Sequence, residues 1–241
     1  MGLEESIAKN SVNLLIGATI VLAILVAISL QEKYLNEKLK KFLFISIVLV
    51  IAIPTLYMIS STVYLNTVSV SKGPVHWHAD VEVWACGKEV ELQDPTGFLS
   101  NKIGTATLHE HNDKRIHLEG VVVHPEDASL GKFFQVIGGE ISNDSLIVPT
   151  NNGPMPYTNG SMCADGSEGQ AQVFLYQTDS EQYYTQRKLE NPEQHLIAPY
   201  SAVPQGDCII VEFGPTREKT DKLCRSYKVA EKIGKLKGER Q

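Results

Sequence analysis

Histidine is the residue whose spacing points to chemistry in this chain. Five of the seven histidines fall between Val75 and Val123: His76, His78, His109, His111 and His117. Neutral imidazole is the commonest protein ligand for transition metals. Two pairs have the form His-x-His. Along an extended strand, side chains alternate between faces, so residues i and i+2 point the same way. His76 with His78, and His109 with His111, would then each set two imidazoles on one side of a sheet. His117 joins them, with Asp80 or Glu119 as further ligands or supporting carboxylates. Imidazole donors suit copper and zinc, so a copper or zinc ion is the expected cofactor. The opposing reading is a polar face of exposed strands, with His117 satisfied by Glu119 or Glu110.

Strands are what must position these side chains. His76-Trp-His-Ala-Asp-Val-Glu-Val-Trp84 alternates, with His76, His78, Asp80 and Glu82 on one face and Trp77, Ala79, Val81 and Val83 on the other. That is the pattern of a half-buried strand. Cys86-Gly87-Lys88 reads as a turn and Glu89–Leu92 as the return strand. Thr107–His111 and Arg115–Val123 read as a second hairpin around Asn112-Asp113-Lys114. A three-residue loop sets His109 opposite His117. It also puts His109, His111 and His117 on one face, at the cost of Glu110 on the apolar one. A two-residue loop would turn His117 away from His109. The first register separates polar from apolar better and is preferred.

Behind the hairpins, Leu130, Phe133, Phe134 and Ile137 mark one face of a short helix with Ser129 as its N-cap. Residues 143–169 read as loop with one strand near Ser145–Val148. Gln170–Gln177 and Cys208–Phe213 read as strands. Residues 182–195 are ambiguous.

Other chemistries lack their motifs. His109-Glu110 cannot open a helical zinc-protease motif, because position 113 is Asp where the second His is needed. There is no Gly-x-Ser-x-Gly elbow and no Cys-x-x-Cys. No catalytic residue is assigned, and an enzyme is not the expectation.

The site sits on an anchor. Val12–Leu30 and Phe42–Ile59 carry no charge, and an uncharged run of about 18 residues or more is a transmembrane candidate. Glu4 and Glu5 against Lys9 argue against the basic start of a secretory signal. Lys33, Lys38, Lys40 and Lys41 in the connector place it in the cytoplasm. The expected organisation is a short external N-terminus (1–11), a first span (12–30), a cytoplasmic basic loop (31–41) and a second span (42–60). A stalk (61–74), an extracytoplasmic His-rich domain (75–214) and a basic C-terminal tail (215–241) follow. In the tail Leu223, Val229 and Ile233 form a sparse stripe on a solvated helix. The fold class is thus a two-helix transmembrane hairpin followed by a β-rich α+β extracytoplasmic domain, built of hairpins plus one short helix. Cys86, Cys163, Cys208 and Cys224 all follow the second span. An even number there implies two disulfides. Of three pairings, Cys86–Cys163 with Cys208–Cys224 is favoured. The net charge of −6 says little about partners. The lipid bilayer and another membrane-protein subunit are the expected ones, and nucleic acid is not.

His76-Trp-His-Ala-Asp, Leu108-His-Glu-His-Asn, Ile116-His-Leu-Glu, Leu130-Gly-Lys-Phe-Phe and Gly206-Asp-Cys-Ile-Ile-Val-Glu-Phe-Gly214 form a series. It resembles an uncharacterised extracytoplasmic His-rich domain of archaea and bacteria over roughly residues 75–214. The resemblance implies the domain boundary and the histidine set, with no reaction attached. Relatives of this kind carry a Gly in the hairpin loop, and Asn112-Asp-Lys114 lacks it. Two N-terminal spans before an outer β-domain also resemble the topology of cytochrome oxidase subunit II, which implies electron transfer. That family's dinuclear copper loop needs two close cysteines, and none here are close. A blue-copper centre needs a Cys among the histidines, and only Cys86 is near. An electron-transfer domain and a non-catalytic structural or interaction module of a membrane complex stay open beside simple metal binding.

Overall fold

The structure is a computed structural model that describes residues 2–31, 35–97, 101–197 and 206–240. Two compact units divide at Gly73 and Pro74. The first holds two helices, α1 (Leu3–Ser29) and α2 (Glu37–Val68), which pack against each other. Both are long and apolar enough to cross a membrane. α1 buries no residue fully and α2 only Leu43 and Pro54, and most of their apolar side chains are exposed.

The helices outrun the apolar segments. α1 continues back through Lys9, Glu5 and Glu4. The Asn36 side chain caps α2 by accepting from the Leu39 N–H at 2.9 Å, so Lys38, Lys40 and Lys41 sit in its first turns rather than in a loop. Glu32 and Lys33 lie outside the described residues. The expected stalk is helical as far as Val68. Thr62 and Thr67 turn their hydroxyls back onto the carbonyls of Met58 and Val63, which occupies polar groups that would otherwise favour extended chain.

The second unit is built on an eight-stranded sheet. β1 (Pro74–Ala85) lies near its centre. One edge of β1 meets β5 (Arg115–Val121) along its first half and β2 (Lys88–Val90) along its second, both antiparallel. Its other edge meets β11 (Cys208–Gly214) in parallel. Beyond β5 come β4 (Leu108–Glu110) and β3 (Ile103–Gly104). Beyond β11 come β9 (Gln170–Thr178) and β10 (Tyr184–Lys188). Cys86 and Gly87 both take positive φ, the requirement of a two-residue hairpin turn, and join β1 to β2. A second sheet comprises β6 (Glu140–Ile141), β7 (Ser145–Thr150) and β8 (Gly153–Thr158). Residues 98–100, between β2 and β3, lie outside the described residues.

The apolar face of the large sheet carries Ala79, Val81, Val83, Ile116, Leu118, Ile209 and Val211. These belong to one core with the short helix α3 (Leu130–Val136). The Ser129 hydroxyl accepts from the Lys132 N–H at 3.1 Å and starts α3, as its sequence indicated. Leu130, Phe133, Phe134 and Ile137 are all buried. The other face of β1 presents His76, His78, Asp80 and Glu82, and here the C-terminal segment departs from expectation. Residues 215–240 are not a solvated tail. Within them α4 (Arg225–Lys232) buries Tyr227 and Ala230, with Leu236 following, in a cluster with Phe174, Tyr176, Tyr184 and Ile210. The apolar stripe is therefore misplaced, since Val229 and Ile233 are exposed. The Arg225 N–H donates to Glu82 at 2.6 Å, and the Ser226 hydroxyl donates to Asp80. The two disulfides join Cys86 to Cys163 and Cys208 to Cys224. The second ties this segment to β11.

Candidate metal centre

The histidines occupy the part of the sheet that α4 does not bond. In the β1–β5 pairing His78 lies opposite His117 and His76 opposite Glu119. In the β4–β5 pairing His109 lies opposite His117 and Leu108 opposite Leu118. The three-residue loop register is thus the observed one, and alternation does the rest. His76, His78, His109, His117 and Glu119 share one face, while Ala79, Ile116 and Leu118 fill the core beneath, and His111, just past β4, sets its ring against those of His109 and His117.

The loop 112–114 explains how a chain without Gly there keeps that register. Asn112 and Lys114 both take left-handed φ, of 63° and 60°. Asn tolerates this conformation, and Lys114 is held by an ion pair with Glu89 and by its carbonyl accepting from the Val81 N–H at 2.9 Å. Glu110, which alternation sends away from the histidines, accepts the Asp113 N–H at 2.8 Å. Burial pushes its carboxyl above the usual range, and the loop N–H bonds oppose this. Glu110 therefore shapes the loop and does not pair with His117.

Asp113, which sequence reasoning passed over, is what His117 meets. His117 Nε2 lies 3.0 Å from Asp113 Oδ2, so Nε2–H donates to the carboxylate and Nδ1 carries the lone pair. His111 Nδ1 is bonded to the Asn101 carbonyl, which leaves Nε2 as its lone-pair nitrogen. Hydrogen bonds of this kind, to carboxylate or backbone carbonyl, are the usual outer support of metal-ligating histidines. An i, i+4 carboxylate in a tight loop was the available signal for Asp113.

The donors form two groups of three, His76/His78/Glu119 and His109/His111/His117, with one ligand atom from each residue lying within 4.8 Å of the others in its group. In the first, His76 Nε2 is 3.1 Å from His78 Nε2 and 3.1 Å from Glu119 Oε1. In the second, the His111 ring lies 4.8 Å from that of His109 and 4.7 Å from that of His117, and His109 and His117 stack at 5.5 Å. The groups adjoin through the His78 and His117 rings, 4.6 Å apart. Exposure is graded, from His76 at 66 % to His109 at 1 %. Burial lowers His109 to about 4, aided by Lys102 and opposed by Glu119. Burial also lowers His78 to about 4, with His117 and His76 beside it. Both are therefore neutral at pH 7, the state a metal requires. Asp80 stands apart from the donors. Burial raises it, and it is bonded to Ser226 and, at 3.0 Å, to Arg115.

Two observations bear on whether a transition metal fits. Nδ1 of His78 and Nδ1 of His109 are buried without a hydrogen-bond partner among the described residues. Leaving such an atom unpaired costs about 1–3 kcal/mol, which a metal on Nδ1 would relieve and a metal on Nε2 would not. The donor set is also entirely nitrogen and carboxylate oxygen, which zinc and copper both accept. All four cysteines are bridged, so no thiolate is available to the site.

No family model, curated protein or solved structure matches the chain.

Proposed function

We propose that this chain is a two-pass membrane protein whose extracytoplasmic domain binds a transition-metal ion, copper or zinc, through His76, His78, His109, His111 and His117. The observation that carries this is the convergence of five imidazoles and Glu119 from three neighbouring strands and the loop after β4, with His109 buried among them. A merely polar strand face accounts for the bonds of His111 to Asn101 and of His117 to Asp113. It gives no reason to bury His109 beside them. Two apolar helices, lysines at the start of α2 and two disulfides in the following unit support an anchor in the bilayer with the metal domain in an oxidising compartment. The α1–α2 hairpin is the surface on which another membrane subunit would pack. With every cysteine bridged, an electron-transfer role would have to use nitrogen and oxygen donors alone.

The test is calorimetric titration of the chelator-treated full chain in detergent with zinc sulfate and with copper(II) sulfate. Saturable uptake, abolished in His76→Ala/His109→Ala, which removes one imidazole from each group, is the expected result. Heats equal in the wild type and this variant, with both folded, would reject the reading.

A further inference from the structure

Six donors are more than one four-coordinate ion uses, and their arrangement divides them. We infer that the site holds two metal ions bridged by Glu119, one on His76 and His78 and the other on His109, His111 and His117. The inference rests on the metal-binding reading above and adds stoichiometry and a role for the carboxylate.

Around one ion with metal–nitrogen bonds of about 2.0–2.1 Å, tetrahedral donors stand about 3.3 Å apart. The two 3.1 Å separations at His76 Nε2, to His78 Nε2 and to Glu119 Oε1, are near that value. This group is therefore spaced to share an ion. Across the groups the carboxylate splits its contacts. Oε1 faces His76, whereas Oε2 lies 3.8 Å from His109 Nε2, and Oε1 is also 3.9 Å from His117 Nδ1. Oε1 thus lies between the two sets, nearer His76, and Oε2 lies on the side of His109. Paired-metal sites hold their ions about 3.5–4 Å apart, a separation that a carboxylate spans with its two oxygens. Backbone pairing fixes the arrangement, because Glu119 lies opposite His76 on β1 and two residues beyond His117 on its own strand. His109, at 1 % exposure, is the most buried of the imidazoles and His76, at 66 %, the most open. Two ions held this way would differ in access, the outer one exchanging first.

The test measures metal per chain. The full-length protein in detergent is treated with chelator, dialysed against zinc sulfate and assayed by elemental analysis. Two equivalents are expected in the wild type, and one in His76→Ala/His78→Ala and in Glu119→Gln. One equivalent in the wild type would overturn the paired site and leave single-ion binding standing. No metal would overturn both. Because a variant can misfold, copper(II)-loaded wild type supplies a second readout. At two equivalents, ions about 4 Å apart give spin-coupled paramagnetic resonance with a half-field transition. Two independent copper(II) signals would refute the bridge.

Discussion

Asp113→Ala tests how the centre is supported without touching a proposed ligand. Asp113 Oδ2 accepts the hydrogen bond of His117 Nε2–H at 3.0 Å, and so turns Nδ1 toward Glu119. Removing such an outer partner costs 10- to 100-fold in metal affinity as a rule, or about 1.4–2.8 kcal/mol. The cost to the fold should be much smaller. The Asp113 side chain is 41 % exposed, and pairs at that exposure contribute about 0–1 kcal/mol. The loop itself is held by Glu110 through the Asp113 backbone N–H, which alanine keeps. Calorimetric zinc binding to the full chain should therefore weaken 10- to 100-fold, while the metal-free melting temperature falls by less than about 4 °C. Asp113→Asn retains an acceptor oxygen for Nε2–H and should lose less affinity than alanine. Zinc affinity unchanged in Asp113→Ala would refute the reasoning. So would a loss in which alanine and asparagine are equal.

Other predictions follow from burial and covalent structure. The metal-free protein should lose stability as pH falls from about 6.5 to about 4, because the unfolded chain protonates at the ordinary histidine pKa and folded His109 only near 4. Stability from this source is complete above 6.5 and is lost on the way down. The limit is about 3 kcal/mol for a side chain 1 % exposed among Lys102, Glu119, His111 and His117. Thermal unfolding across this range should show the slope in the wild type and a shallower one in His109→Gln, and equal slopes would contradict it. Cys208→Ser/Cys224→Ser opens a bridge of sequence separation 16, worth about 3 kcal/mol. The melting temperature should drop by roughly 6–12 °C, and an unchanged value would mean that α4 is held without the bridge. Gly206→Ala would drive a Cβ into the His78 carbonyl. Overpacking of this kind costs about 1–3 kcal/mol, so both stability and zinc affinity should fall; full retention of both would show that β1 yields there freely.

The histidine pairs were legible because strand alternation and a three-residue loop are local facts. Spacing alone set His76 with His78 and His109 with His111, and the preferred loop register added His117 to the second pair; the β1–β5 pairing that brings the two sets together was not legible. α3 was legible too, since its cap and apolar positions lie within nine residues. Pairings made across long separations were not legible. β1 and β11 run parallel although more than a hundred residues lie between them, and nothing in either strand names its partner. The C-terminal segment was misread because Tyr227 and Ala230, not the more apolar Val229 and Ile233, face the sheet. Charged neighbours hid two buried positions under a basic composition. β8 was missed because Pro154 and Pro156 argue against a strand, yet as an edge partner of β7 it tolerates the lost donors. Glu110 looked like an error in the pattern and is the residue that holds the loop.

The central claim is tested most directly by the metal content of the full-length protein as purified in detergent, beside His76→Ala/His109→Ala. One variant position lies in each group of donors. The account predicts stoichiometric copper or zinc in the wild type and its loss in the variant, with both disulfides formed in each. Metal-free protein in both, equally folded and taking up neither ion on dialysis, would contradict it.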